Sequence, residues 1–294
     1  MSKVFLKDSK KTPSAAIFIS GNGSNAEKML ARFHTPGRVP YWIPKVLVTD
    51  RPLTSRAKAI AREYGLPLVE HGIAAFYRKH GMSQVTVSTE EGRRIRQLWT
   101  DEMLEKLQPF QIDFGILAGF VSLTNIAEVI PCLNVHPGDL TYLRNGRRYL
   151  TGLHTVPVEL AILEGLPALR SSVIMVRPYS GRADEVDSGH ILGISEPVPL
   201  DLQGHSLDEL RRIFANRVFP HFHGLNRDLL FDIATHNQEL LKRSGDHYLY
   251  PEVIDDFARG LFSESDGGRL LYNGLPVNTV EYRRDGSRVP LPVA

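Results

Sequence analysis

Short apolar runs closed by glycine alternate along the chain with stretches in which apolar residues recur every three or four positions. The first run, Ala15-Ala16-Ile17-Phe18-Ile19-Ser20, stops at Gly21-Asn22-Gly23-Ser24-Asn25. The spacing predicts a helix from Ala26 to about Phe33, a strand over Lys45–Asp50, a helix over Thr54–Tyr64 ended by Gly65, and a short strand over Leu66–Glu70. A long polar helix is expected from Thr89 to Leu107, and Phe114 to Gly119 reads as a fully buried strand. Strands bounded by glycine and separated by helices predict an α/β fold, Rossmann-like, around a mostly parallel sheet.

Beyond the run Cys132-Leu133-Asn134-Val135-His136-Pro137, the polar segment Leu143–Tyr149 reads as a surface loop. A helix is expected over Pro157–Glu164, closed by Gly165, with strands over Ser171–Val176 and Gly189–Ser195. Another helix should begin at Ser206, which has capping-box spacing with Glu209. From about Gly245 the chain is richer in Gly, Pro and charge. There Leu270-Leu271-Tyr272 and Thr279-Val280-Glu281-Tyr282 suggest a small hairpin or arm. The organisation expected is an N-terminal tail over 1–14, an α/β domain over 15–236, and a small C-terminal extension over 237–294.

Composition narrows the function classes. With 294 residues, 42% of them hydrophobic, the chain can bury a full core. A net charge of +2 and a sequence pI near 8.6 give no field that would gather a polyanion, and no basic run is interleaved with aromatics. No nucleic-acid partner is expected. The lone Cys132 excludes an intrachain disulfide and reads as a small buried thiol. No run approaches the ~20 apolar residues of a membrane span, and the lysine-bearing N-terminus lacks a signal-peptide core. The expectation is a cytoplasmic protein without membrane contact.

Candidate chemistry lies in the second half. Asn134, His136 and, downstream, Asp187 supply an amide, an imidazole and a carboxylate near strand ends. An amide can hold a developing oxyanion, an imidazole can move a proton, and a carboxylate can orient the imidazole, which are the parts needed to carry an acyl group to an amine. The loop Gly21–Asn25 joins a strand to a helix, where successive N–H groups suit a phosphate. It also fits G-x-G-x-x-A with Asp50 ending the next strand, so a nicotinamide dinucleotide stays open at this point, as does a turn that binds nothing. His154 reads as structural, with a ligand role as the alternative; the remaining histidines, His221 and His223 among them, show no metal-ligand spacing, and no metal is expected.

Four stretches, in order, resemble the folate-dependent formyltransferases, most of all the phosphoribosylglycinamide formyltransferases of purine synthesis. They are Ile19–Asn25, Leu117-Ala118-Gly119-Phe120, Asn134-Val135-His136-Pro137, and Gly152-Leu153-His154-Thr155 followed by Asp187-Ser188-Gly189. The resemblance covers about residues 15 to 225. It implies that Asn134, His136 and Asp187 are catalytic and that Gly23, Ser24 and Asn25 bind the phosphate of a small amine substrate. The formyl donor would be 10-formyltetrahydrofolate, with its pterin wrapped by Phe120, Val121, Leu123 and Thr124 and by Ala183, Asp184 and Glu185. Arg78 corresponds to a family arginine near the folate. Homodimerisation is left open.

The departures cluster on the acceptor side. The family's Met-Arg-Ile-Leu is replaced by Val121-Ser122-Leu123-Thr124, and its Ser-Leu-Leu-Pro by Gly138-Asp139-Leu140-Thr141. An insertion follows through Arg144, Arg147 and Arg148, read as a solvated loop with replacement of a lost anion contact as the alternative. Ile174 takes the place of a histidine, and the family's acceptor-contacting Glu-His pair is assigned to Ala215-Asn216. The expected reaction is formyl transfer to a primary amine, with phosphoribosylglycinamide the best acceptor. A sugar amine, hydrolysis of the formyl-folate, a nicotinamide dehydrogenase and a non-catalytic folate- or nucleotide-binding protein are the alternatives.

Overall fold

The apolar runs of the first half form one side of a nine-stranded sheet, out to its edge. The computed structural model describes residues 3–6, 11–179, 187–218 and 226–293. Along the chain come β1 (Lys3–Val4), β2 (Ser14–Phe18), α1 (Ser24–Phe33), β3 (Ile43–Thr49), α2 (Ala57–Glu63), β4 (Leu68–Glu70), α3 (Ile73–Lys79) and α4 (Glu90–Leu107). β5 (Phe114–Leu117) and β6 (Cys132–His136) follow, then the short β7 (Leu143–Arg144) and β8 (Arg147–Arg148), α5 (Val156–Glu164) and β9 (Ala168–Leu169). Next are β10 (Ser172–Met175), β11 (Ile191–Ser195), β12 (Val198–Pro199), α6 (Leu207–Ala215) and α7 (Leu229–Leu241). A π-helical turn, Lys242–Asp246, leads into α8 (His247–Ala258). The chain closes with β13 (Phe262–Glu264), β14 (Leu270–Tyr272), β15 (Leu275–Pro276), β16 (Thr279–Tyr282) and β17 (Arg288–Leu291).

The main sheet runs β17-β16-β11-β10-β6-β5-β2-β3-β4. From β6 to β4 every neighbouring pair is parallel, and β11 is parallel to β16. β10 runs against both β6 and β11. The period of two along a strand divides the core into layers. Ala15 and Ile17 of β2 join Leu47 and residues of α1, α2 and α8 on one face. Ala16 and Phe18 join Val46, Val48 and residues of α3 and α4 on the other. Covered on both faces, β2 and β5 are buried along their whole lengths.

Helix caps fall where the side chains predict them. Thr89 accepts from the Gly92 N–H at the head of α4, and Ser206 accepts from the Glu209 N–H at the head of α6. No helix among the described residues is long and apolar enough to cross a membrane.

Four expectations are corrected. Residues 143–149 form a β-hairpin instead of a loop, because Asn145 and Gly146 both take positive φ (54° and 74°), the combination a type I′ turn requires. The stretches 270–272 and 279–282 do not pair with each other. β14 turns back on β15 through Asn273-Gly274, whereas β16 buries Val280 and Tyr282 and joins the main sheet beside β11. The boundary set after 236 falls inside α7. Chain beyond it supplies Tyr250, Val253, Ile254 and Phe257 to the same apolar cluster as Ile17 and Leu47, so the C-terminal part is built into the core. Even the N-terminal tail contributes a strand, with β1 pairing to β13.

Candidate active site

Strand direction reverses beside β6, parallel to β5 on one side and antiparallel to β10 on the other. In open α/β sheets, ligands bind beyond the carboxyl ends of strands where the winding changes. A cavity of about 260 Å³ opens there, lined by the segment after β5, by Asn134 and His136 of β6, by Ile174 of β10, and by Asp187. Gln238, Lys242 and Asp246, from α7 and the π-turn, close its other side. The volume lies near the low end for small-molecule sites, enough for the reacting part of a ligand whose remainder extends outside.

The structure brings Asn134, His136 and Asp187 together. The His136 ring is buried, with Nδ1 3.4 Å from Asp187 Oδ2 and Nε2 2.7 Å from the Leu150 carbonyl. Both nitrogens therefore face acceptors, and only the doubly protonated ring donates to both. Asn134 lies two residues back along β6, and among the described residues its amide makes no side-chain hydrogen bond. Ile174, opposite Asn134 in the β6–β10 register, puts an apolar wall where the family pattern has a histidine.

Phe120, Val121, Leu123 and Thr124 all line the cavity, and their segment is tied down residue by residue. The Val121 N–H donates to Ser20 Oγ at 2.9 Å, and Ser122 Oγ donates to Asp50 Oδ2 at 2.5 Å. Arg96 Nη1 donates to the Leu123 carbonyl at 2.6 Å, and Thr124 shares a hydroxyl hydrogen bond with Thr100 at 3.2 Å. Arg96 is held over the rings of Tyr77 and Trp99, and burial lowers its pKa from the usual guanidinium value. Sequence reasoning missed it, since it stands on α4, expected only as a long polar helix. Asp50 is buried with its Oδ2 held by this loop and does not line the cavity, so it is not placed to take a dinucleotide ribose there.

The glycine loop divides. Asn25 reaches the cavity wall, whereas Gly23 and Ser24 do not. Gly23 caps α1 in the left-handed region (φ 70°), and a Cβ there would come within 2.5 Å of Ile60 Cδ1. Asn25 Nδ2 donates to Asp246 Oδ2 at 3.1 Å, and Ser171 Oγ donates to Asp246 Oδ1 at 2.5 Å. Asn25 Oδ1 is buried with no hydrogen-bond partner among the described residues. Burial pushes the Asp246 carboxyl above the usual carboxylate range, with the Ser171 and Asn25 hydrogen bonds pulling the other way. Sequence reading missed Asp246 too. The acidic-histidine pair assigned to Ala215-Asn216 is absent there, because those residues are exposed at the end of α6, outside the cavity. Asp246-His247, at the junction of the π-turn and α8, has that pattern and puts its carboxylate in the cavity wall.

Arg78 stands exposed near the end of α3 and does not line the cavity. Ala183, Asp184 and Glu185, and His221 and His223, lie outside the described residues. His154 lines the cavity rim in the left-handed region, its carbonyl accepting from Gln238. Cys132 is buried against Gly115, and burial pushes its thiol up to about 12, which leaves it without nucleophilic character at neutral pH. Among the described residues no group of three or more His, Cys, Asp or Glu side chains is placed to hold a metal ion.

This fold is that of formyltransferases of known structure. Glycinamide ribonucleotide transformylase 1 from Symbiobacterium toebii superposes with a TM-score of 0.57 at 22% identity, over 88% of this chain and 93% of its own. Phosphoribosylglycinamide formyltransferase from Anaplasma phagocytophilum gives 0.58 at 18% identity, over 93% of this chain and 100% of its own. Formyltetrahydrofolate deformylase from Burkholderia mallei gives 0.51 at 14% identity, over 90% and 71%. The shared fold thus reaches well beyond residues 15–225, into the C-terminal helix and strands. No protein-family model and no curated sequence matches the chain.

Proposed function

We propose that this protein is a folate-dependent formyltransferase that moves the formyl group of 10-formyltetrahydrofolate to a primary amine. The observation that carries this reading is the convergence of Asn134, His136 and Asp187 on one cavity, with His136 held against Asp187 and the Asn134 amide without a side-chain hydrogen bond among the described residues. An uncharged amine attacks the formyl carbon, a carbon–nitrogen bond forms, and negative charge gathers on the formyl oxygen. Asn134 donates to that oxygen, and the protonated His136 ring, buried beside Asp187, stabilises its charge. As the bond to the folate nitrogen breaks, the proton given up by the amine passes to that nitrogen through a water held beside His136 and Asp187. The apolar walls of Phe120, Val121 and Leu123, and the pinned backbone around them, suit a flat heteroaromatic ring with polar edges.

Phosphoribosylglycinamide is the acceptor we favour. Asn25 at the N-terminus of α1, and Lys242, which also pairs with Glu239, line the cavity and support an anionic group, and the Asp246 carboxyl supports its amine. Hydrolysis of the donor is the second reading, supported by the likeness to a deformylase, with water in place of the amine. The test is to incubate the protein with 10-formyltetrahydrofolate, with and without phosphoribosylglycinamide, and follow tetrahydrofolate release. Release that depends on the acceptor supports the transferase, and release without it supports the hydrolase. No release with any amine or with water, together with retained folate binding, would sink both and leave a binding protein.

A further inference from the structure

The β7–β8 hairpin is an insertion relative to the formyltransferase pattern, and its second strand leads straight to the catalytic pair. Arg148 donates through Nη1 to the carbonyl of Asp187 and through Nη2 to the carbonyl of Gly189, the latter at 2.8 Å. Two residues on, the Leu150 carbonyl takes the Nε2–H of His136 at 2.7 Å. The stretch 148–150 therefore touches both members of the His136–Asp187 pair. We propose that this hairpin is a clamp for that pair, and that Arg148 is a positioning residue that sets the aim of the Asp187 carboxylate.

Asp187 is held in a conformation that needs holding. Its φ is +59°, in the left-handed region, which an aspartate enters more readily than most side chains but still at a cost that surrounding contacts must offset. On its far side the backbone is pressed against β10, since a Cβ on Gly189 would lie 1.7 Å from the Met175 carbonyl. Arg148 grips the same backbone from the hairpin side, so residues 187–189 are fixed between the two. A planar guanidinium can span two carbonyls with fixed spacing, which a single ammonium cannot do. Both terminal nitrogens are engaged by backbone oxygens and Arg148 is not part of the cavity wall, so it acts through Asp187 and not on a substrate anion. Burial lowers the Arg148 pKa while the nearby Asp187 charge raises it, which fits a desolvated cation balanced by the residue it positions.

The kinetic arm of the test rests on the formyl-transfer reading, and the structural arm does not. Arg148→Ala is expected to lower kcat for tetrahydrofolate release about 30- to 100-fold with KM values within about twofold, the scale of a misplacement near 1 Å. Arg148→Lys should fall between, and millimolar guanidinium should restore part of the activity of R148A but none to Asp187→Asn. Arg147→Ala, on the exposed part of the same hairpin, should leave kcat unchanged. In crystal structures, the His136 Nδ1 to Asp187 Oδ2 separation should stay near 3.4 Å in the wild type and exceed about 4 Å in R148A, or in R148K if the alanine variant does not fold. Unchanged kcat in R148A, or an unchanged separation in the variant structure, overturns the clamp. A wild type that releases no tetrahydrofolate overturns the formyl-transfer reading alone, and the separation still decides the clamp.

Discussion

Tyr250 of α8 donates a 2.7 Å hydrogen bond to the carbonyl of Leu133, the residue before Asn134 and 117 positions away in the chain. The same hydroxyl lies 3.4 Å from the Leu117 carbonyl, at the end of β5. Burial pushes the Tyr250 pKa well above the usual phenol value, so the group is a neutral donor at every physiological pH. The last long helix is thus fastened to the two strands that open into the cavity.

Tyr250→Phe should therefore destabilise the fold. It removes one buried donor and leaves the Leu133 carbonyl short of a partner, a change of about 1–3 kcal/mol. Urea unfolding is the measurement, with the midpoint shifted down and the slope unchanged. A midpoint equal to wild type would mean that this hydroxyl does not hold the strands.

His136→Ala and Asp187→Asn should each lower kcat by roughly 10²–10⁴-fold while KM for the folate and the amine changes only a few-fold. The double variant should be no slower than the poorer single variant by more than about threefold, since the two groups act as one unit. Steady-state kinetics of tetrahydrofolate release decide it. Near-normal turnover in either single variant would remove the pair from the mechanism.

Asp246 gives a prediction in pH. Its carboxyl, raised by burial, holds a proton in the folded state that the unfolded chain has already lost. Its contribution to stability is therefore full below the ordinary carboxylate value and is lost as pH rises through the folded value. Asp246→Asn does not titrate. Melting temperature should thus shift in favour of the variant, relative to wild type, as pH is raised from about 4 to 7. A difference that stays flat over that interval would show that Asp246 titrates normally.

Gly23→Ala meets two obstacles, the left-handed backbone and the Ile60 side chain 2.5 Å from the new Cβ. Together they should cost about 2–3 kcal/mol. Ile60→Val in the same chain removes the terminal methyl and should recover only part of the loss, because the backbone strain, about 1–2 kcal/mol, remains. Thermal unfolding of the two single variants and the double variant separates the contributions. Full recovery would assign the whole effect to the contact.

The parts of the fold that were legible in the sequence are those whose cause is local. Apolar runs stopped by Gly21, Gly65 and Gly165 located strands and helices to within a few residues, and Ser206 and Thr89 marked helix starts by their own hydrogen bonding. The hairpin also left a local trace, the Asn145-Gly146 dipeptide, but its charged neighbours made it read as loop. α8 was obscured because the chain from about Gly245 is rich in Gly, Pro and charge, while the structure winds Lys242–Asp246 into a π-turn that leads into it. Asp246 and Arg96 gain their meaning only in space. One meets Asn25 across 221 residues and the other meets Leu123 from a neighbouring helix, and no spacing rule joins such pairs.

The π-turn between α7 and α8 has a genetic consequence. An i→i+5 turn holds one residue more than an α-helical turn would, and each residue advances a helix by about 100°. Loss of a single codon within 242–246 would let the helix close up as α. Because the π-turn takes up its extra residue locally, α7 and α8 would keep their phases and Tyr250 and Val253 their places in the core, and the change would fall on the cavity wall at Lys242 and Asp246. Reading frame would be preserved and composition barely altered, yet the site would be reshaped. This stretch should therefore tolerate substitution at its exposed positions far better than any change in length.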